Sequence, residues 1–164
     1  MTVLCCLYPV FMLIGVISDT HGLLRPEAVV ALAGVEHILH AGDVGDPGIL
    51  ERLQAIAAVT AIRGNVDVGG ACAQLPDTEL VELGGRQIYM LHDRETLDLD
   101  PVAAGIAVVV SGHSHRPSIL RHKGVVYFNP GSAGPRRFSL PVSVGILRLT
   151  ESGVEGEVVE IVKQ

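Results

Sequence analysis

The sequence is poor in cysteine, and its three cysteines form no recognisable metal or disulfide pattern. They are Cys5, Cys6 and Cys72. An odd number without metal-ligand spacing, in which the two neighbours cannot easily form an ordinary bridge, fits a reducing cytoplasm better than secretion. We therefore expect a cytoplasmic protein.

The chain also lacks a basic surface. Its 12 lysine and arginine residues are outnumbered by 18 acidic residues, which gives a net charge of −6. The basic residues form no cluster, and no aromatic platform for RNA accompanies them. Because general nucleic-acid binders normally carry a basic face, we expect no general nucleic-acid binding.

A positively charged leader is missing too, although the first 17 residues, MTVLCCLYPVFMLIGVI, form an apolar run. This run is marginal in length for a membrane span and leads straight into a polar motif. We expect no membrane association. The residues LIGVI would form the first core strand, residues 1–11 an extension, and residues 12–164 a single domain for which Met12 could be the natural start.

The composition of the chain is that of a folded domain. Hydrophobic residues make up 48% of the sequence and charged residues 18%, so there is enough apolar surface for a core. The 19 glycines and 9 prolines predict many sharp turns between short strands.

Apolar, strand-like runs recur along the chain, and each is followed by a polar cluster. The runs MLIGVI, VEHILHA and VTAI precede SDTHG, GDVGD and RGNVD, and the runs QIYML, IAVVV and VVYF precede HDRE, SGHSH and NPGS. Residues 25–34 and 46–57 are predicted to form helices between the first strands. Alternating strands and helices predict parallel strands, whose carboxyl ends gather ligands.

After residue 78 the pattern changes to hairpins. The runs TELVEL and QIYML flank Gly84-Gly85, PSILRH and VVYF flank Lys123-Gly124, and VSVGILRL with GVEGEVVEIV closes the chain. A short helix is predicted at 99–105. The sequence therefore predicts an α/β fold with a mixed two-sheet core and outer helices. Exposed strand edges in the last hairpins could pair two copies in a homo-oligomer.

The polar clusters contain a set of side chains that suits divalent metals. Carboxylate, imidazole and amide oxygen are ligands for Mn, Fe, Zn or Mg, and no thiolate is included. The set is Asp19, His21, Asp43, Asn65, His92, His113 and His115. Seven ligands for two ions require one to be shared, and a carboxylate is the natural bridge because its two oxygens can face different cations.

Two cations about 3.5 to 4 Å apart would clamp a phosphate and generate a hydroxide nucleophile near neutral pH. Phosphoester hydrolysis is therefore the reaction that this set of residues suits. A cap or a solvated loop histidine is the alternative interpretation of each residue alone. It weakens when all the clusters occur together.

The order of these motifs resembles the calcineurin-like metallophosphoesterases. The motifs ISDTHG, GD, GNVD, GHSH and NPGS are similar to those of their small YfcE-type phosphodiesterase branch, over roughly residues 12–162. The resemblance implies a four-layer α/β/β/α sandwich of two mixed β-sheets flanked by helices.

The resemblance also implies the role of each ligand. Asp19, His21 and His115 would hold the first metal, and Asn65, His92 and His113 the second, with Asp43 as the bridge. Manganese is the expected ion, and Ni, Fe, Zn, Mg or Co could replace it.

Three features depart from the family pattern. Asp93 follows His92 where relatives usually have glycine, which puts an anionic side chain beside the second metal. The spacer between His92 and SGHSH is short, so the helix there must be reduced and the site more open. Val66 occupies the position of a histidine that can donate a proton to the leaving group in larger relatives, so either substrates with good leaving groups should be favoured or metal-bound water must assist.

Other polar residues are candidates for supporting roles. His40 is expected to support the site or to be a satisfied core histidine, and Asp67 to accept hydrogen bonds from loop amides or to orient a ligand histidine. Arg63, Arg136 and Arg137 could contact a substrate phosphate. The alternative for each arginine is solvation.

The sequence thus predicts a dinuclear metal-dependent phosphodiesterase or phosphatase that acts on a small phosphoester by attack of metal-bound hydroxide. Cyclic nucleotides, nucleotide esters and phospholipid fragments all remain open as substrates. The alternative is a non-catalytic metal-binding scaffold or interaction module, because the retromer subunit that shares this fold is regarded as a scaffold with an altered metal site.

Overall fold

The structure, a computed structural model, describes residues 12–163, so the predicted extension at 1–11 lies outside the described residues. Two α-helices and ten strands occur in the described part of the chain: β1 Met12–Ile17, α1 Pro26–Ala31, β2 His37–His40, α2 Gly48–Gln54, β3 Ala58–Ala61, β4 Thr78–Leu83, β5 Arg86–Leu91, β6 Ile106–Val110, β7 Ser118–His122, β8 Val125–Asn129, β9 Val142–Thr150 and β10 Gly153–Val162. Two short 3₁₀ helices lie at Ala71–Gln74 and Arg94–Thr96.

The first sheet has the strand order β10-β9-β1-β2-β3. Strands β1, β2 and β3 are parallel to one another, and β9 pairs antiparallel with both β1 and β10. The helices α1 and α2 connect the parallel strands, as the alternating pattern predicts. Both lie within the predicted ranges and are shorter than predicted, and each buries an apolar stripe, such as Ile49 and Leu53 of α2.

The second sheet has the strand order β4-β5-β6-β8-β7 and contains two of the three predicted hairpins, and the third, β9-β10, belongs to the first sheet. Strands β5, β6 and β8 are parallel, while β4 and β7 are antiparallel edge strands. The turns Gly84-Gly85 and Lys123-Gly124 have positive φ at both residues, which is the backbone that two-residue hairpin turns require.

The main core lies between the two sheets. Its buried side chains come from the facing surfaces of both sheets: Ile14, Val16, Leu39, Ile62, Ile88, Met90, Val108, Val110, Val126, Phe128, Leu147 and Leu149. A second apolar cluster lies between the first sheet and the two α-helices and includes Ile17, Leu32, Ile38 and Leu53. The α/β class and the two mixed sheets are therefore confirmed.

On the outer side of the second sheet, one of the helices that the sequence analysis predicts does not form. The helix predicted at 99–105 is wrong, because residues 101–105 form turns. The Asp100 carboxylate accepts a hydrogen bond from Val102 N (3.0 Å) and caps this turn, and Gly105, which has positive φ, ends it before a second turn can follow. Leu97 and Leu99 still pack on a small apolar cluster that includes Val109. The reduction expected from the short spacer is therefore present.

Parallel strands bring the polar clusters to one edge of the sandwich. The main chain joins the loops of the two sheets there, since His113 N donates to the Asp19 carboxylate (3.1 Å) and Ala133 N donates to Ser18 O (3.0 Å). No helix among residues 12–163 is long and apolar enough to cross a membrane.

A glycine in β9 makes space for the largest fully buried side chain of the core. A Cβ at Gly145 would overlap the ring of Phe128, which is 1% exposed. We expect Gly145→Ala to lower the free energy of unfolding by about 1–3 kcal/mol, because the core would be overpacked. Chemical denaturation measures this change.

The matched control is Gly153→Ala, in which the new Cβ would meet nothing within 4 Å. We expect it to change the free energy of unfolding by no more than about 0.5 kcal/mol. Equal stability of the two variants would contradict this account of the core.

Candidate metal centre

The loops that follow five parallel strands bring all seven predicted ligand residues together. Asp19 and His21 follow β1, Asp43 follows β2, and Asn65 follows β3 of the first sheet. From the second sheet, His92 follows β5, and the pair His113 and His115 follows β6. Strand direction therefore places donors from distant parts of the sequence at one edge.

A first group of donors is formed by Asp19, His21 and His115. His115 Nε2 is 3.2 Å from Asp19 Oδ1 and 3.3 Å from His21 Nε2, and His21 Nε2 is 3.8 Å from the same carboxylate oxygen. The two imidazole rings are stacked with centroids 5.2 Å apart. Three donor atoms therefore face one small volume.

A second group is formed by Asn65, His92 and His113. The amide oxygen of Asn65 is 3.2 Å from His92 Nε2 and 3.1 Å from His113 Nδ1. His92 is buried, whereas Asn65 and His113 are exposed. This group is consequently open to solvent, and the first group lies deeper.

Two carboxylates link the groups. Asp43 Oδ2 is 3.7 Å from His21 Nε2 and 3.3 Å from His92 Nε2, so it faces one imidazole of each group. Asp19 Oδ1 also lies 4.0 Å from His92 Nε2. Two overlapping sets have metal-ligand spacing, namely Asp19, His21 and His115, and Asp19, Asp43 and His92.

The backbone at the centre is held in a strained conformation. Seven non-glycine residues in the described part of the chain have positive φ, and five of them are Asp19, His21, Asp43, His113 and His115. This left-handed conformation costs roughly 1–2 kcal/mol for a residue with a Cβ. Strain of this kind is concentrated at functional sites, where the surrounding structure maintains it.

Gly64 lets the loop that follows β3 approach the loop that follows β2. A Cβ at Gly64 would overlap the carboxylate of Asp43. Its absence lets Val66 N reach Asp43 Oδ1 at 3.0 Å. The orientation of Asp43 therefore depends on the glycine of the GNVD motif.

The residues present fit a divalent cation. Asp19 Oδ1 is buried and has no hydrogen-bond partner among residues 12–163, although three imidazole nitrogens lie within 4.0 Å. Leaving a carboxylate oxygen unpaired is costly unless a cation occupies the space that it faces. His92 Nδ1 is 2.7 Å from Ala41 O, so it is the donor nitrogen and Nε2 is left to face the group.

The ionisation of the central residues follows from their surroundings. Burial alone would raise the pKa of Asp43, but hydrogen bonds from His92 and Val66 N, with the His21 ring nearby, lower the pKa to about 2. Burial opposes the charge of His92, yet Asp43, the Ala41 carbonyl and Asp19 together raise its pKa. Burial lowers the pKa of His21. The carboxylate of Asp43 is thus ionised at neutral pH.

His40 lies beneath the first two loops and is fully buried. Its Nε2 donates to Thr20 Oγ1 (3.0 Å), and its Nδ1 accepts a hydrogen bond from Gly42 N (3.3 Å). Thr20 Oγ1 in turn donates to Val44 O (3.0 Å). Burial lowers the pKa of His40 to about 4, so the neutral ring ties together the loops that carry Asp19 and Asp43.

Asp67 accepts hydrogen bonds from three backbone amides and does not face the donor groups. The amides are those of Val44 (3.0 Å), Gly45 (2.9 Å) and Gly64 (2.9 Å). Its buried carboxylate therefore joins the loop that follows β2 to the loop that follows β3.

The three arginines have different surroundings. Arg63 donates to both oxygens of Asp77, at 2.6 and 3.0 Å, and Arg136 donates to Val162 O at 3.1 Å. Arg137 is exposed, and its positive charge contributes to the lowered pKa of His21. Of the three, Arg137 is the one whose charge acts on a residue of the centre.

Three residues that the sequence analysis leaves without a role also hold the centre. Ser18 Oγ donates to Asp19 Oδ2 (2.6 Å), and Ser132 Oγ donates to Asp19 O (3.0 Å). Asn129 Nδ2 donates to Gly112 O (2.7 Å), at the start of the loop that carries His113. In the sequence, the only signal for these supporting roles is that the three residues lie in or beside the motifs.

Two residues that differ from the family pattern, Asp93 and Val66, lie beside the centre. Asp93 Oδ1 accepts a hydrogen bond from Glu95 N (3.0 Å), and Asp93 Oδ2 lies 3.8 Å from His113 Nε2. It therefore faces the side of His113 opposite to Asn65. Val66 is 41% exposed, and its side chain offers no proton donor.

Comparison with known protein families places the chain among phosphoesterases. The sequence model of the calcineurin-like phosphoesterase superfamily domain matches residues 12–152. A probable metallophosphoesterase of Methanothermobacter thermautotrophicus is 37% identical over 90% of this chain and 92% of its own length. The phosphodiesterase YfcE of Escherichia coli is 29% identical over 79% of this chain and 84% of its own.

Solved structures have the same architecture. An archaeal phosphodiesterase superimposes with a TM-score of 0.73 at 25% identity and covers 90% of this chain and 100% of its own. Vps29 of Chaetomium thermophilum superimposes with a TM-score of 0.72 at 21% identity, covering 93% and 100%, a likeness that extends to the fold alone.

The buried neutral His40 predicts a loss of stability in acid. Its pKa is about 4 in the folded state, below the ordinary value of 6.5 that applies to the unfolded chain. Between these values the unfolded state binds the extra proton, so stability falls as the pH falls. We expect His40 to account for about 2 kcal/mol of the free energy of unfolding lost between about pH 7 and pH 5.

Denaturation of metal-free protein at both pH values measures this loss, which should be smaller in His40→Gln. The control His122→Gln, at an exposed position of β7, should retain the wild-type loss. If His40→Gln does not fold, an NMR titration of His40 in the wild-type protein decides. Protonation of its ring near the ordinary pKa would refute the assignment.

Proposed function

Because the chain belongs to the calcineurin-like phosphoesterase superfamily, we propose that it is a dinuclear metal-dependent phosphoesterase, and specifically a phosphodiesterase. The observation that carries this proposal is the gathering of seven oxygen and nitrogen donors into two linked groups, in which Asp19 Oδ1 is buried without a hydrogen-bond partner among residues 12–163. The names of the relatives support hydrolysis of a phosphoester.

In this proposal Asp19, His21 and His115 would hold the first ion, and Asn65, His92 and His113 would hold the second. Asp43 would be the ligand that they share, which its positions 3.7 Å from His21 Nε2 and 3.3 Å from His92 Nε2 support. The donors are oxygen and nitrogen without thiolate, a set that suits manganese and leaves Ni, Fe, Zn, Mg and Co as alternatives.

When bound, two such ions would offset the charge on phosphoryl oxygens and activate a water molecule for attack on phosphorus. The protein's own residues fix the geometry. His40 and Asp67 hold the loops that carry Asp19 and Asp43, and Ala41 O fixes the proton of His92 on Nδ1. The exposed side of the centre, at Asn65 and His113, is where a substrate would enter.

The chain supplies no side-chain acid for the leaving group at position 66. The backbone of Val66 is used to hold Asp43, and its side chain is an aliphatic group at the opening. We therefore infer that substrates with good leaving groups are hydrolysed most readily.

A non-catalytic scaffold is the second candidate, favoured by the fold that this chain shares with Vps29 proteins. Retention of all seven donors favours the enzyme instead, since a scaffold has no need of two complete metal groups. We further propose a cytoplasmic protein that acts on small phosphoesters without general nucleic-acid binding, in keeping with the net charge of −6.

Loss of a single ligand should abolish the activity. We expect manganese to stimulate cleavage of an activated aryl phosphodiester, and Asp43→Asn or His115→Ala to reduce the rate by about 100-fold or more. The control His122→Ala removes an exposed histidine of β7 and should retain the wild-type rate. Rates are measured after metal is stripped and added back.

Undiminished activity in both ligand variants would contradict the mechanism. Binding of manganese without hydrolysis of any substrate in a phosphoester panel would instead favour the scaffold.

A proton donor at position 66 should widen the range of leaving groups. We expect Val66→His to raise the rate on alkyl phosphodiesters by about tenfold or more, with little change on activated aryl diesters, because general acids help poor leaving groups most. The control is Val68→His, at a position 83% exposed. Equal changes with both kinds of substrate would refute the role assigned to position 66.

A further inference from the structure

Two clefts flank the exposed side of the centre. The first, here called the arginine cleft, has a volume of about 350 Å³ and is lined by residues that include Arg94, Arg116 and Ser118. The second, the threonine cleft, has a volume of about 430 Å³ and is lined by residues that include Thr78 and Thr96. Both are large enough for part of a small ligand.

The two clefts share Asp93 and His113 and no other lining residue. His113 Nδ1 faces Asn65 and the donor groups, and its Nε2 faces Asp93 at 3.8 Å. These two side chains therefore form a partition at the mouth of the centre. A bound phosphate there would have one cleft on each side.

Asp93 gives this partition a negative charge that the donor groups do not use. It belongs to neither set with metal-ligand spacing. One oxygen is held by Glu95 N at 3.0 Å, and the side chain is 34% exposed. The nearby Arg63 is already paired with both oxygens of Asp77. Two divalent ions would carry more positive charge than Asp19 and Asp43 offset, and the carboxylate of Asp93 would reduce that excess by one charge at the entrance.

Phosphomonoesters and phosphodiesters differ in charge. Near neutral pH a monoester carries nearly two negative charges, because its second pKa is about 6, and a diester carries one. A fixed carboxylate at the site entrance repels the second charge. A diester also has two substituents, one for each cleft.

We propose that Asp93 makes this centre select phosphodiesters over phosphomonoesters, with the two arms of the diester in the arginine cleft and the threonine cleft. The inference rests on the proposed function and assigns its specificity to one residue. Asp93 acts on the substrate through its charge.

The test compares Asp93→Asn with wild type on 4-nitrophenyl phosphate and bis(4-nitrophenyl) phosphate at saturating manganese. Asparagine keeps the oxygen that binds Glu95 N and removes the charge. We expect kcat/KM for the monoester to rise about tenfold and that for the diester only about threefold, because the repulsion is proportional to the charge of the substrate. The gain should shrink as ionic strength rises.

Asp93→Glu retains the charge and should retain the wild-type ratio. Asp98→Asn removes an exposed carboxylate that lines neither cleft, and should also leave the ratio unchanged. Metal content is measured for each variant, because Asp93 also faces His113. Equal changes for both substrates in Asp93→Asn, or loss of metal, would overturn the proposal.

A readout without turnover separates this inference from the proposed function. Calorimetry on the manganese-loaded proteins measures binding of inorganic phosphate and dimethyl phosphate. We expect Asp93→Asn to bind phosphate about tenfold more tightly and dimethyl phosphate only about threefold more tightly, because dimethyl phosphate carries a single charge. If wild type binds manganese and hydrolyses neither ester, the proposed function fails, and this comparison still decides whether Asp93 selects by charge. Unchanged phosphate binding would overturn that selection.

Discussion

The carboxylate of Asp19 is the point on which the site depends. It is fully buried, and its Oδ2 accepts hydrogen bonds from Ser18 Oγ (2.6 Å) and from His113 N (3.1 Å), so it joins a loop of the first sheet to a loop of the second. Its Oδ1 has no hydrogen-bond partner in the described part of the chain and faces three imidazoles. Asp19 thus connects the two sheets and also supplies a buried negative charge that a bound cation would stabilise.

The residues around the centre stabilise two unfavourable features, namely strained backbone conformations and two buried carboxylates that repel each other. Positive φ at Asp19 and Asp43 is maintained because hydrogen bonds fix their loops, through His40 beneath and Asp67 beside them. The imidazoles of His21 and His92 each lie within 4.0 Å of both carboxylates. The centre is consequently rigid where ions would bind and open at Asn65 and His113, where a substrate would enter.

Much of the fold can be predicted from local sequence patterns, and the one helix that was predicted wrongly has a local cause. The runs that became β1, β5 and β6 are apolar with a polar end, and the two-residue turns of the hairpins require a special backbone, so both signals are strong. The segment 99–105 reads as a helix because Ala103 and Ala104 favour one. Asp100 caps a single turn there by accepting from Val102 N and Ala103 N, and the positive φ of Gly105 ends that turn before a helix can form.

The sequence by itself determined which donors the chain owns and the order in which strands present them, because ligand chemistry belongs to the residue and strand ends are marked by glycine and polar groups. Only the tertiary structure decided what those donors face. Asp93 is adjacent to His92 in sequence but faces His113, and Arg63 is paired with Asp77. Such pairings depend on how two sheets pack and how each loop turns, and side-chain distances across separate loops are not encoded in any one motif.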